Sequence, residues 1–174
     1  MKLKWILRLA ALVATLAITV MITSADEGTV PLRAKLTGFQ EVPPKLSPGT
    51  GRFEATVTGS TLSYTLTYST LSSNVLAAHI HFAQPGVNGA IFLFLCGSAA
   101  NPGPAGTPTC PPDGGTVSRS GVTAADILGV PAQGLTAGDF AAALTILESG
   151  DAYVNVHTSN HPDGEIRGLV RMGD

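Results

Sequence analysis

Charge is scarce in this chain: Asp, Glu, Lys and Arg together make up 13% of its 174 residues. Phosphate recognition needs clustered Lys and Arg, and no such cluster is present, so nucleic acid is excluded as a partner. Cysteine is scarcer still, with Cys96 and Cys110 alone, no CxxC spacing, and no histidine near either in sequence. That removes the zinc-ribbon and thioredoxin-like readings. There is no glycine-rich phosphate loop opening a helix after a strand, no Ser-His-Asp or Cys-His order, and no carboxylate pair that stands out. Histidine is also rare, but its few copies are not scattered: all four lie at positions 79, 81, 157 and 161.

The amino terminus has the form of an export signal. A basic opening (Lys2, Lys4, Arg8) precedes an uncharged apolar run from residue 9 to 22, and Thr23-Ser24-Ala25 offers small residues where a signal peptidase reads. Cleavage before Asp26 is the favoured reading, with residues 1–25 as the signal peptide. A retained anchor is the alternative, but the run is shorter than the ~20 residues that span a bilayer comfortably. Cleavage removes three basic groups and no acid, leaving 7 basic against 12 acidic groups in residues 26–174. That remainder has the size of one ordinary domain, exported to the periplasm or beyond the cell, with no membrane segment after cleavage.

Export also bears on the cysteines. The segment between Cys96 and Cys110 is too rich in Gly and Pro to fold regularly. In an oxidising compartment a disulfide closing it is favoured over paired metal ligands or redox thiols, and would stabilise the fold by about 3 kcal/mol on the chain-entropy model.

Alternating apolar and polar residues dominate the rest. A first strand is expected over residues 30–36, then an extended loop stiffened by Pro43, Pro44 and Pro48, which must run along an edge or across an end because proline donates nothing to a ladder. Phe53, Ala55 and Val57, then Leu62, Tyr64, Leu66 and Tyr68, alternate with polar neighbours, predicting a hairpin turned at residues 58–61. Residues 77–82 and 90–95 predict a second hairpin turned at Asn88-Gly89, its later strand apolar on both faces and therefore central. Two short helices are expected near residues 122–128 and 135–147, each opened by Thr followed three residues later by Asp. Strands over residues 152–158 and 165–171 close the chain. The pattern predicts an all-β, antiparallel, Greek-key-like sandwich or barrel with one or two short inserted helices.

On a strand, residues two apart share a face, so His79 and His81 point together while Ala78 and Ile80 point the other way. His157 ends a second strand and His161 follows in the next turn. Neutral imidazoles suit copper or zinc, so His79, His81, His157 and His161 are the candidate metal ligands, with Asp163 and Glu165 near enough to orient a ring. The competing reading is that these rings cap strand ends and bond nearby turns. Tyr153 and Asn155 share the face of His157 and fit a buried polar network equally well. Arg167 beside Glu165 suggests an ion pair.

Several spaced motifs resemble one family. They are Ala78-His79-Ile80-His81 with Pro85-Gly86-Val87-Asn88-Gly89, Gly134-Leu135-Thr136-Ala137-Gly138-Asp139-Phe140, and Tyr153-Val154-Asn155-Val156-His157-Thr158 leading to Gly164-Glu165-Ile166-Arg167-Gly168. With the opening block Leu36-Thr37-Gly38-Phe39-Gln40-Glu41-Val42-Pro43-Pro44, they look like the CHRD domain, named after the repeats of chordin. The resemblance implies an exported, immunoglobulin-like or superoxide-dismutase-like β domain and says little about activity. The family motif matches at His79, His81 and His157; at position 161 it has Asn as well as His.

Three functions fit: a β domain binding copper or zinc, an extracellular protein-interaction or adhesion module with structural histidines, and a copper enzyme of the superoxide dismutase type. A two-metal dismutase site needs around six histidines and an Asp, and this chain has only four histidines, which leaves a copper-only version open. A non-enzymatic role is therefore favoured, and no residue is assigned to catalysis.

Overall fold

The structure, a computed structural model, describes residues 28–173. The expected signal peptide lies outside the described residues. Among them the strands are β1 (Thr29–Thr37), β2 (Thr50–Thr58), β3 (Thr61–Ser69), β4 (Val75–Phe82), β5 (Ala90–Gly97), β6 (Gly115–Val122), β7 (Ala152–Thr158), β8 (Ile166–Leu169) and β9 (Arg171–Met172). They pair antiparallel in the order β5-β4-β7-β8-β1-β2-β3-β6, with β9 beside β1.

The clearest alternation becomes the most regular pairing. Phe53, Ala55 and Val57 on β2 and Leu62, Tyr64, Leu66 and Tyr68 on β3 are buried, while their neighbours on each strand face outward. Gly59 takes φ +55° in the turn between them, which a side chain would resist. Each large side chain removed from water here contributes roughly 1.5–3 kcal/mol.

The sheet rolls into a nearly closed barrel. Its two ends are joined by side chains and loops: the Tyr64 hydroxyl of β3 donates to the Leu95 carbonyl of β5, and the Tyr68 hydroxyl donates to the Pro111 carbonyl at 2.8 Å. Cys96 and Cys110 are bonded, with Cα atoms 5.0 Å apart, and tie β5 to the loop entering β6. Replacing both cysteines by serine is expected to lower unfolding stability by about 3 kcal/mol, read as a shift in the urea midpoint. An unchanged midpoint would mean that the backbone bonds from Gly97 N to Pro108 O and from Cys110 N to Gly97 O hold the loop alone.

Three expectations are corrected and one strand is added. β5 ends the hydrogen-bonded path and is not central; its outward carbonyls are met by the Tyr64 hydroxyl and by Leu128 N, from the segment that covers this edge. β6 is a strand that the sequence pattern did not announce, because Thr116, Ser118 and Ser120 carry its outer face and few of its residues are buried. The first helix is one 3-10 turn, Ala124–Asp126, with Asp126 bonded to Thr123 N and Arg119. The second, α1 (Phe140–Ser149), starts a turn late: Gly138 sits at φ +81°, and the Asp139 side chain caps Ala142 N. It stops at Gly150 as expected. Among the described residues no helix is long and apolar enough to cross a membrane.

Candidate metal centre

β4 and β7 run side by side, and their register sets Ala77 opposite His157, His79 opposite Asn155, and His81 opposite Tyr153. Ala78, Ile80, Val154 and Val156 point into the barrel and are fully buried. Their alternation therefore sends His79, His81, Tyr153, Asn155 and His157 to the outer side. That side is not left to water. Residues 38–49 run along it, held where Asn88 Nδ2 donates to the Val42 carbonyl, Asn155 Nδ2 donates to Glu41, and Ser47 Oγ donates to Glu165 just before β8.

Under this cover three imidazoles converge. One ring nitrogen from each of His79, His81 and His157 lies within 4.8 Å of the others, and the ring centroids are 4.9–6.0 Å apart. His161 falls outside the converging set. It sits in the turn after β7, exchanging backbone bonds with Thr158.

Each ring's second nitrogen decides what the first offers. His81 Nδ1 lies 3.0 Å from the Gly89 carbonyl and His157 Nδ1 lies 2.9 Å from the Pro162 carbonyl. Carbonyls only accept, so both Nδ1 atoms carry the proton and both Nε2 atoms present a bare lone pair. Those two Nε2 atoms, together with both nitrogens of His79, are buried without a hydrogen-bond partner. Burial, with the neighbouring histidines adding to it, holds His79 down to about 3. Burial likewise pulls His81 down to about 4 against the opposing Gly89 bond, and His157 below its ordinary value. At neutral pH the cluster is three uncharged nitrogen ligands.

An ion with nitrogens at about 2.0–2.1 Å in tetrahedral array needs them about 3.3 Å apart. The observed spacing is within a small side-chain adjustment of that. Leaving the four nitrogens bare costs about 1–3 kcal/mol each, a cost that a bound cation would offset for three of them.

The wall around the cluster is polar and organised. Tyr153 stacks on His81 at 4.7 Å with the planes 3° apart, and the Arg167 guanidinium lies 3.3 Å over the other face of the tyrosine ring. Gly89 N donates to the Tyr153 hydroxyl, while Arg167 donates to Asn88 Oδ1 and the Val87 carbonyl. Asn155 donates its amide to both oxygens of Glu41, at 2.8 and 3.1 Å. Glu41 is 4% exposed, and burial lifts its carboxyl to about 7 against the pull of Arg167.

Two expectations about the acids fail. Glu165 does not orient a ring: it accepts from Ser47, Thr158 and both the amide and hydroxyl of Ser72. Nor does it pair with Arg167, which belongs to the tyrosine stack. Backbone carbonyls take the orienting role instead. The Asn88-Gly89 turn also works differently, since the positive φ is at Gly86 (+78°). Gly89 is needed because a Cβ there would lie 2.0 Å from the Phe82 carbonyl. That close approach is what carries the Gly89 carbonyl to His81.

A family model, the CHRD domain, matches residues 32–170. The chain belongs to the CHRD domain family. No curated protein and no solved structure gives a match. In this CHRD domain the opening block of residues 36–44 delivers Glu41 to Asn155 and Val42 to Asn88. Sequence reasoning passed over Glu41 because one carboxylate in a proline-rich turn has no spacing to a partner 114 residues away. Its only signal was its place inside a block that already resembled the family.

Proposed function

We propose that this CHRD domain is an exported protein, formed by residues 26–174 after signal cleavage, that holds one transition-metal ion, copper or zinc, on His79, His81 and His157. The fourth position is open, since His161 falls outside the converging set. The observation that carries this reading is the convergence of three neutral imidazoles, two buried and one partly buried, whose facing nitrogens are themselves buried and have no other partner. Structural histidines capping strand ends would be expected to spend both nitrogens on turns, and these do not. His79 and His81 are nearly sealed, at 6% and 7% exposed, while His157 is only partly buried at the rim, which supports holding an ion over turning substrate over on it.

Titration of the purified mature protein with Cu(I), Cu(II) and Zn(II) is expected to give one tight equivalent that the His79→Ala/His81→Ala variant loses. Equal metal content in the two proteins would overturn the proposal and leave an extracellular interaction module with structural histidines.

A further inference from the structure

Once the ion is counted, two buried polar groups are still without partners. Three of the four bare nitrogens go to the metal, which leaves the second nitrogen of His79 and the side-chain oxygen of Asn155. His81 and His157 each already have an acceptor behind them, Gly89 O and Pro162 O. His79 has none. A neutral imidazole that gives one lone pair to a metal carries its proton on the other nitrogen, so His79 is left with a donor in need of an acceptor. Asn155 Oδ1 is an acceptor in need of a donor, and Asn155 is 3% exposed.

The register places these two residues directly opposite each other on adjacent strands, where Cβ atoms lie about 4.5–5.5 Å apart. The Asn155 amide is already committed to Glu41, which orients its oxygen away from that carboxylate. Phe94, 4.3 Å from His79 on the neighbouring strand, offers no acceptor on the other flank.

We infer that Asn155 and Glu41 form the orienting relay of His79, with the ring N–H donating to Asn155 Oδ1 and the Asn155 amide donating to the Glu41 carboxylate when the metal is bound. The inference rests on the metal reading above and extends it from three ligands to the groups that set their tautomers. It makes residues 36–44 part of the centre, since the strip that carries Glu41 reaches His79 through one amide. Asn155 and Glu41 are positioning residues and do not touch the ion. Asparagine suits the middle of this relay because it donates and accepts at once, whereas leucine of similar size does neither.

The test uses the full mature protein, Zn(II) and Cu(II) titrated against a chromophoric chelator, and nitrogen-resolved NMR of the ring protons. Asn155→Leu is expected to weaken both metals by about 10- to 100-fold, the usual consequence of losing a group that orients a ligand. Glu41→Gln keeps the side chain's shape and one accepting oxygen, so it is expected to fold and to weaken binding by a smaller factor. In the Zn(II)-loaded protein the His79 ring N–H is expected to be protected from exchange, and in Asn155→Leu to lose that protection. A purely structural role for Asn155 would change stability without moving that signal. Wild-type affinity in both variants, or an unprotected His79 proton in the loaded wild type, would overturn the relay while leaving the three-histidine site intact. Failure of the wild type to bind either metal would overturn both.

Discussion

Replacing Glu165 by alanine is expected to destabilise the fold by about 3–5 kcal/mol, as much as truncating a large side chain of the core. The carboxylate has no exposure and accepts four bonds of 2.6–2.8 Å: from Ser47 in the strip over the sheet, from the Ser72 amide and hydroxyl before β4, and from Thr158 at the end of β7. Three separate segments thus meet on one anion. Removing it leaves four donors facing a small void. Burial works to raise the pKa of Glu165, but the four bonds outweigh it and hold the carboxyl below its ordinary 4.5. The folded state therefore favours the anion, so the stabilisation is present above pH 4.5 and is lost as pH falls through the lower folded value. Urea unfolding at pH 7 and pH 3.5 checks both parts. The wild type should lose stability between the two, and Glu165→Ala should start lower and lose less. A variant within about 0.5 kcal/mol of wild type at pH 7 would show that the three segments hold without their shared acceptor.

The way Glu165 works also shows what the sequence made legible. Strands with one wet face announced themselves: β2 and β3 could be placed from Phe53 to Tyr68 because alternation is a local property, and only the inner face there is apolar. β6 could not, since serine and threonine fill its outer face and only Val117 and Val122 are buried. β5 misled for a different reason. Its two apolar faces read as a central strand, but its outer cover is a loop and its open edge is met by Tyr64 and Leu128, and neither contact leaves a trace in residues 90–97. The shared face of His79 and His81 followed from strand parity alone. The arrival of His157 depended on β4 lying next to β7, a pairing across some 75 residues that no local pattern encodes. The partners that orient the rings were the least legible part, because two of them are backbone carbonyls, and a carbonyl has no residue identity to read.

Those same carbonyls and the depth of the rings determine how the centre should respond to acid. Between pH 7 and pH 5, three ordinary imidazoles titrating at 6.5 would lose about four orders of magnitude in metal affinity to proton competition. Here burial holds His79 near 3 and His81 near 4, with His157 also lowered, so protons barely compete at pH 5. Affinity is therefore expected to fall over that interval by far less than those four orders of magnitude. The acid sensitivity goes into folding instead. A base whose folded pKa is depressed contributes stability above its unfolded value of 6.5, and that contribution is lost as pH falls toward the folded one. At pH 5 the metal-free protein should have lost about 2 kcal/mol from each of His79 and His81. Glu41 acts in the opposite sense: burial raises it to about 7, so its contribution is present below 4.5 and is lost as pH rises through 7, which partly compensates the histidines in acid. Metal should therefore leave in one cooperative step with unfolding, not ligand by ligand. Chelator competition at pH 7 and pH 5, run beside thermal melts with and without Zn(II), separates the two. A smooth loss of metal centred near pH 6.5 from a protein that stays folded would mean that the rings titrate as exposed histidines do, against the burial of His79 and His81.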